Sequence, residues 1–290
     1  MGVPTRPEVC AAPLDGVRLV LLAVLFASVG FSPAGFGLEH VRFEASNSAQ
    51  SGQVLLSAQL YRPHGAGPFP AVVLMHGCGG WQPAVLNALQ AHAEFLVQHG
   101  FAVLNLDSFG PRNKTGGQVC ESWQLLRDAR FYRTYDAFDA LRYLQALGFI
   151  DARNVFLMGQ SNGGSVAIKA ALASGPAASG RAGPAFRAVA AYYPWCGVLG
   201  QHSLTLASPL LIFGGALDDW SPPYQCARAR VRGASLRVKI YPQAVHSFDV
   251  DIDLQRYLGR WIGKNAHATS DSRERMLAFF LEHLNGIAAE

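Results

Sequence analysis

The pentapeptide Gly159-Gln160-Ser161-Asn162-Gly163 sets a serine between two glycines. It follows the apolar run 155–158 (VFLM) and precedes 166–173 (VAIKAALA), which has helical spacing. A serine hydroxyl is a weak nucleophile until a base takes its proton. A sharp turn from a buried strand into a helix would thrust that hydroxyl out of the sheet, and glycines on either side would let strand and helix pass closely. Read this way Ser161 is a nucleophile; the alternative is the polar residue of an ordinary glycine turn.

A serine nucleophile needs a histidine, and the histidine needs an acid to orient it. In folds built around this turn the chain order is serine, acid, histidine. After the apolar run 209–215 (PLLIFGG) comes ALDDWSPP, with Asp218 and Asp219 at the strand end. Asp218 leaves the strand first and is the favoured acid, with Asp219 as its neighbour or a cap. After 236–242 (LRVKIYP), His246 stands in QAVHSFD. His40, His64, His76, His92 and His99 precede the serine, and His202 precedes the acid. His267 and His283 fall in or near the last helical segment, where solvated histidines are common. His246 alone has the right order and position. The oxyanion of an acyl-transfer intermediate needs two backbone N–H donors. One would come from Asn162, and the other from the early loop HGCGG (76–80), where Cys78 lies between glycines.

These residues need a scaffold that brings strand ends together. Strand patterns recur at 54–63, 70–77, 101–108, 155–159, 188–194, 209–215 and 236–242. Helical patterns intervene at 86–100, 125–148 and 166–173, and a last one runs over 273–286. On the long helix, Phe131, Tyr135, Phe138, Leu141 and Leu144 form the apolar stripe. Continuous apolar strands alternating with helices predict an α/β fold, a mainly parallel sheet with helices on both faces. The Gly/Ala/Ser-rich stretch 173–185 reads as a surface loop, because strands of one sheet flank it.

The chain has 290 residues, 50% hydrophobic and 15% charged, with a net charge of +4. That is a globular composition and excludes disorder. The densest basic run, RARVR (228–232), reads as a solvated helix face. No basic face with interleaved aromatics supports nucleic-acid binding. Residues 1–34 read as a secretory signal peptide. Their apolar core runs from Arg18 to Val29, and small residues at Ser32 and Ala34 suit cleavage after Ala34. Glu8 and Asp15 offset Arg6 and Arg18, which fits a true start near Val17. An uncleaved leader would instead anchor the protein to a membrane or form a buried first helix. Four cysteines remain after it, Cys78, Cys120, Cys196 and Cys226. They allow three pairings, or four unpaired core residues. No spacing of Cys or His suits a metal site, so no metal or other cofactor is expected.

VVLMHGCGG, DSFGPR, GQSNGG, FYP-like AYYP, GALDDWSPP and YPQAVHSFD, in this order over roughly 50–286, resemble the dienelactone hydrolase family of α/β hydrolases. The resemblance implies a single α/β-hydrolase catalytic domain over 35–290. It implies Ser161, Asp218 and His246 as the triad, and Cys78 and Asn162 as oxyanion donors. The namesake enzymes use a cysteine nucleophile; Ser161 instead matches members that resemble general carboxylesterases. Arg112 in DSFGPR would either grip a substrate carboxylate or pin its own loop. The sheet order implied by the family places Cys78 beside Cys120 and Cys196 beside Cys226, so these two disulfides are expected. The implied protein is a periplasmic or secreted ester or lactone hydrolase acting on a small molecule. A peptidase of the same fold and a non-catalytic binding protein are the alternatives. Trp81, Trp123, Trp195 and Trp220 lie in loops or turns that could face the substrate.

Overall fold

Four strand ends converge on one edge of the sheet, and the loops leaving them carry the candidate site. In this computed structural model the described residues are Gly2, 35–46, 54–114, 117–175, 185–199 and 204–285. The leader, apart from Gly2, and most of the 173–185 stretch lie outside them.

Eight strands form the main sheet. In chain order they are β1 (Phe36–Glu44), β2 (Leu55–Pro63), β3 (Phe69–Met75), β4 (Ala102–Asp107), β5 (Ile150–Gln160), β6 (Val189–Tyr192), β8 (Leu210–Gly215) and β10 (Leu236–Tyr241). Their order in space is β1-β2-β4-β3-β5-β6-β8-β10. β1 and β2 are antiparallel, β2 runs antiparallel to β4, and every pair from β4 to β10 is parallel. β7 (Leu204–Leu206) and β9 (Val231–Gly233) make a small parallel pair, and β11 (Gln255–Tyr257) and β12 (Arg260–Ile262) a hairpin.

The parallel strands are apolar on both faces because helices cover both. Side chains alternate across a strand, so Val73 and Met75 of β3 enter one core while Val72 and Leu74 enter the other. The first core lies under α2 (Trp123–Gln145) and α3 (Asn162–Ala171). The second lies under α1 (Pro83–Gln98) and α5 (Ala266–Glu282). A short α4 (Tyr224–Arg228) follows β8.

Three local readings change. Phe131 is 48% exposed. The face of α2 that packs inward carries Arg133, Ala137, Leu141 and Leu144, about a third of a turn away. An apolar stripe drawn through Phe131 misses this because its inward neighbour is a charged arginine. The RARVR run is not a helix face: Arg228 ends α4, and Val231 begins β9. β1 extends the sheet at an edge where its alternation is too polar to stand out in sequence. Both expected disulfides are present, Cys78–Cys120 and Cys196–Cys226.

Candidate active site

Ser161 sits between the last residue of β5 and the first of α3, with φ 51° and ψ −112°. Only a constrained turn holds a serine at positive φ. Its N–H donates to Tyr192 O at 2.9 Å, and its carbonyl accepts from Ser165 N–H at 2.9 Å. A side chain at Gly163 would drive its Cβ to 2.6 Å from His76 O, and one at Gly159 would strike the backbone of Gly163 and Gly164. The two glycines are therefore required by the close passage of β5, α3 and the loop after β3.

His246 enters from the loop after β10. Its Nε2 lies 2.9 Å from Ser161 Oγ, and its Nδ1 lies 2.7 Å from Asp218 Oδ2. With Nδ1 carrying the proton toward the carboxylate, Nε2 is left to accept from the hydroxyl. Asp218 comes from the turn after β8 and is buried. Its Oδ1 accepts from Trp220 N–H at 2.9 Å and Ser221 N–H at 2.7 Å, which fixes the carboxylate. Asp219 points elsewhere: its Oδ1 accepts from Trp261 N–H at 2.9 Å, holding the β11–β12 hairpin.

The loop after β3 approaches Ser161 so closely that a Cβ on Gly77 would lie 3.3 Å from the serine Cβ. Cys78 follows, tied to Cys120. Asn162 is the first residue of α3, where N–H groups have no turn beneath them to bond to. Sequence reasoning missed Arg133, which joins these two segments. Its guanidinium donates to His76 O at 2.6 Å and to Asn162 Oδ1 at 2.7 Å, with Phe109 stacked 4.8 Å away. The side chain is wholly buried, and burial pulls its pKa down to about 10, so it is still charged at neutral pH. Burial, with Arg133 beside it, holds His76 well below the ordinary histidine range. His76 is thus neutral, accepting from Ser108 N–H at Nε2 over 3.3 Å.

A second group beneath His246 was also unforeseen. Tyr193, at φ 37°, sets its ring edge 4.7 Å from the imidazole and donates from its hydroxyl to Asp249 Oδ1 at 2.5 Å. Asp249 Oδ2 accepts from His92 Nε2 and Gln160 Nε2, each at 2.7 Å. Burial alone would raise the Asp249 carboxyl, but the bonds from His92, Tyr193 and Gln160 outweigh it and hold it below the usual range. Burial lowers His92. The only signal in sequence was an aspartate three residues after His246.

Two cavities meet at the serine. One, of about 250 Å³, is lined by Ser161, His246 and Cys78 with Val85, Tyr193, Trp220, Val250, Ile252, Tyr257 and Ile262. Gln82 and Gln255 also line it, and among the described residues no Asp, Glu, Lys or Arg borders it. The other, of about 240 Å³, is lined by Ser161, Asn162, Ser165 and Trp220 with Trp123, Trp195, Arg130 and Arg260.

Two expected substrate contacts fall away. Arg112 spends its fork on Asp136, at 2.9 Å and 2.8 Å, and on Ser108 O at 2.8 Å. It pins its own loop and lines neither cavity. Trp81 lines neither cavity as well. Trp220 lines both, with its ring 5.1 Å from that of His246. Among the described residues no cluster of three or more His, Cys, Asp or Glu could hold a metal ion.

Comparison with known proteins supplies the family and the fold. Residues 56–284 match the model of the dienelactone hydrolase family. Among curated proteins none matches the chain. A ferulic acid esterase from Streptomyces cinnamoneus superposes with a TM-score of 0.62 at 19% identity, covering 89% of this chain and 93% of that one. A dienelactone hydrolase-like promiscuous phosphotriesterase from metagenomic libraries gives 0.60 at 19%, covering 85% and 98%. A putative dienelactone hydrolase from Klebsiella pneumoniae subsp. pneumoniae gives 0.59 at 17%, covering 85% and 99%. At such identities the likeness is one of fold.

Proposed function

The chain belongs to the dienelactone hydrolase family and is a carboxylic ester hydrolase; from that premise we propose that it cleaves small carboxylic esters or lactones through an acyl-enzyme on Ser161. The observation that carries this is the unbroken chain Ser161 Oγ, His246, Asp218, at 2.9 Å and 2.7 Å, ending on a serine held at positive φ. Ser161 Oγ attacks the ester carbonyl as His246 Nε2 takes its proton. Asp218 keeps the proton on Nδ1 and stabilises the imidazolium. The negative oxygen that develops is met by the N–H groups of Cys78 and Asn162, each contributing about 3 kcal/mol to the transition state. His246 returns its proton to the departing alcohol. It then takes a proton from water as the water attacks the acyl-enzyme, and the imidazolium returns that proton to Ser161 Oγ as the acid departs.

The apolar lining of the 250 Å³ cavity supports a neutral, partly aromatic group on one side of the scissile bond. We also read the protein as exported, on residues 1–34 and on two disulfides, which persist in oxidising compartments. Among the described residues no helix is long and apolar enough to cross a membrane.

A fluorophosphonate probe tests the function. It labels only an activated serine. Labelling of the protein that vanishes in Ser161→Ala, together with turnover of aryl esters, is the expected result. An unlabelled protein without esterase activity would overturn it.

A further inference from the structure

Trp123 and Arg130 lie seven residues apart on α2, two turns along one face. Trp195, from the loop after β6, comes up against them. The Arg130 guanidinium sits 4.6 Å from the ring centre of Trp123 and 4.6 Å from that of Trp195. The residue is 5% exposed. Among the described residues no hydrogen bond or carboxylate meets this guanidinium. The acid next along the helix, Asp128, is spent on Arg127 at 3.3 Å. Its neighbours differ: Arg112 is paired with Asp136, and Arg133 donates to His76 O and Asn162 Oδ1.

A guanidinium stacked between two rings, with no carboxylate partner, keeps its planar N–H fork free for an anion. Burial and then the like charge of Arg127 pull Arg130 down to about 10, so it remains charged at neutral pH. Its open side faces the 240 Å³ cavity that reaches Ser161. The other side of the same stack borders an outer cavity of about 420 Å³, with Arg127 and Lys169 in its wall and Trp123 half exposed. Arg260 joins the inner wall, and among the described residues its guanidinium donates only to the carbonyl of Asp219, at 2.9 Å. The two sides of the serine therefore differ in kind: one apolar, the other cationic and aromatic.

We propose that the cavity between Ser161 and the Trp123–Arg130–Trp195 stack is a subsite for an oxyanion group of the substrate. The preferred esters are then two-ended and extended rather than compact. A neutral apolar half fills the cavity of Val85, Val250 and Tyr257, and a ring-bearing anionic half reaches past Trp195 to Arg130. This rests on the esterase reading above, and it assigns the chemistry of the half that reading leaves open.

The test uses isosteric ester pairs that differ in charge. On the alcohol side, para-carboxyphenyl acetate is compared with para-carbamoylphenyl acetate; on the acyl side, ethyl para-carboxybenzoate with ethyl para-carbamoylbenzoate. The readout is the ratio of kcat/KM, anionic over neutral, which cancels any general loss of activity. One of the two pairs is expected to show a ratio of about ten or more that falls with added salt. Arg130→Met should bring that ratio to about one, and Arg130→Lys, which keeps charge but not the planar fork, should lower it. Arg237→Met, removing an arginine paired with Glu282 outside both cavities, should leave it in place. Ratios near one for both pairs in the wild type, with fluorophosphonate labelling and neutral-ester turnover intact, overturn the subsite and leave the esterase reading standing. So does a preference that survives in the Arg130 variants. Loss of labelling and of all turnover in the wild type refutes the esterase reading instead, and this inference with it.

Discussion

Arg133 donates to Asn162 Oδ1 across 2.7 Å, and this bond, with that from Asn162 Nδ2 to Leu126 O at 2.9 Å, fastens α2 to the first residue of α3. The second bond of Arg133, to His76 O, fastens the loop that supplies Cys78. One side chain thus sets the spacing of the two backbone donors assigned to the oxyanion. Arg133→Met should lower kcat by about ten- to a hundred-fold with a much smaller change in KM, because donors displaced by a fraction of an ångström fail mainly in the transition state. Steady-state kinetics on an aryl acetate measures the split; an equal rise in KM with kcat intact would deny Arg133 this positioning role.

The triad makes its own prediction. Ser161→Ala and His246→Ala should each reduce kcat by about a million-fold, and combining them should cost little more. Asp218→Asn should cost roughly ten-thousand-fold, because it favours the wrong tautomer of His246. Asp219→Asn should be mild, since that carboxylate holds only Trp261 N–H.

Stability should decline on acidification. His76 and His92 are buried and neutral, with pKa values pulled below the ordinary 6.5. The unfolded chain therefore binds more protons than the folded one below pH 6.5, and stability falls as pH drops through that value. Asp249, held below 3.8, adds its own loss only as pH falls under that lower value. Thermal melts at a series of pH values should show the decline beginning near the histidine window. Burial raises Asp136 to about 6, so its protonation offsets part of the histidines' loss in this window; a melting temperature that rises steadily down to pH 4 would contradict the burial of the two rings.

The disulfides should matter unequally. Each closes a loop, with sequence separations of 42 and 30 residues, and each should add about 2–4 kcal/mol to stability. Replacing Cys196 and Cys226 by alanine should lower the melting temperature with kcat nearly retained. Replacing Cys78 and Cys120 should lower both, because the bridge braces the loop whose Cys78 N–H is proposed to meet the oxyanion. Differential scanning calorimetry beside initial rates separates the two effects.

Much of this site was legible in the sequence because its parts depend on backbone logic. A serine between glycines after an apolar strand, and a histidine after the last strand, follow from what a parallel sheet must do at its carboxyl ends. The choice of Asp218 over Asp219 rests on which leaves the strand first; Asp218 Oδ2 lies 2.7 Å from His246 Nδ1. What escaped were partners fixed by packing across long separations. Arg133 looks like any helix charge until α2 is rolled onto the sheet, and the same roll exposes Phe131. Arg112 could have gripped a ligand as well as Asp136; only the fold brings α2 to it. Strands of three residues, such as β11 and β12, carry too little periodicity to be read at all.

The hairpin has a further consequence. Ile262 forms a bridge with His246, and Gly263 N–H donates to the His246 carbonyl at 3.1 Å, while Gln255, Tyr257 and Ile262 wall the apolar cavity. The wall of that cavity is thereby splinted to the loop that carries His246. Anyone reshaping this enzyme for new esters would find the two hard to tune apart. A hairpin swapped to admit a larger group would also reset where the imidazole stands, so selection for fit and selection for speed would act on the same few residues.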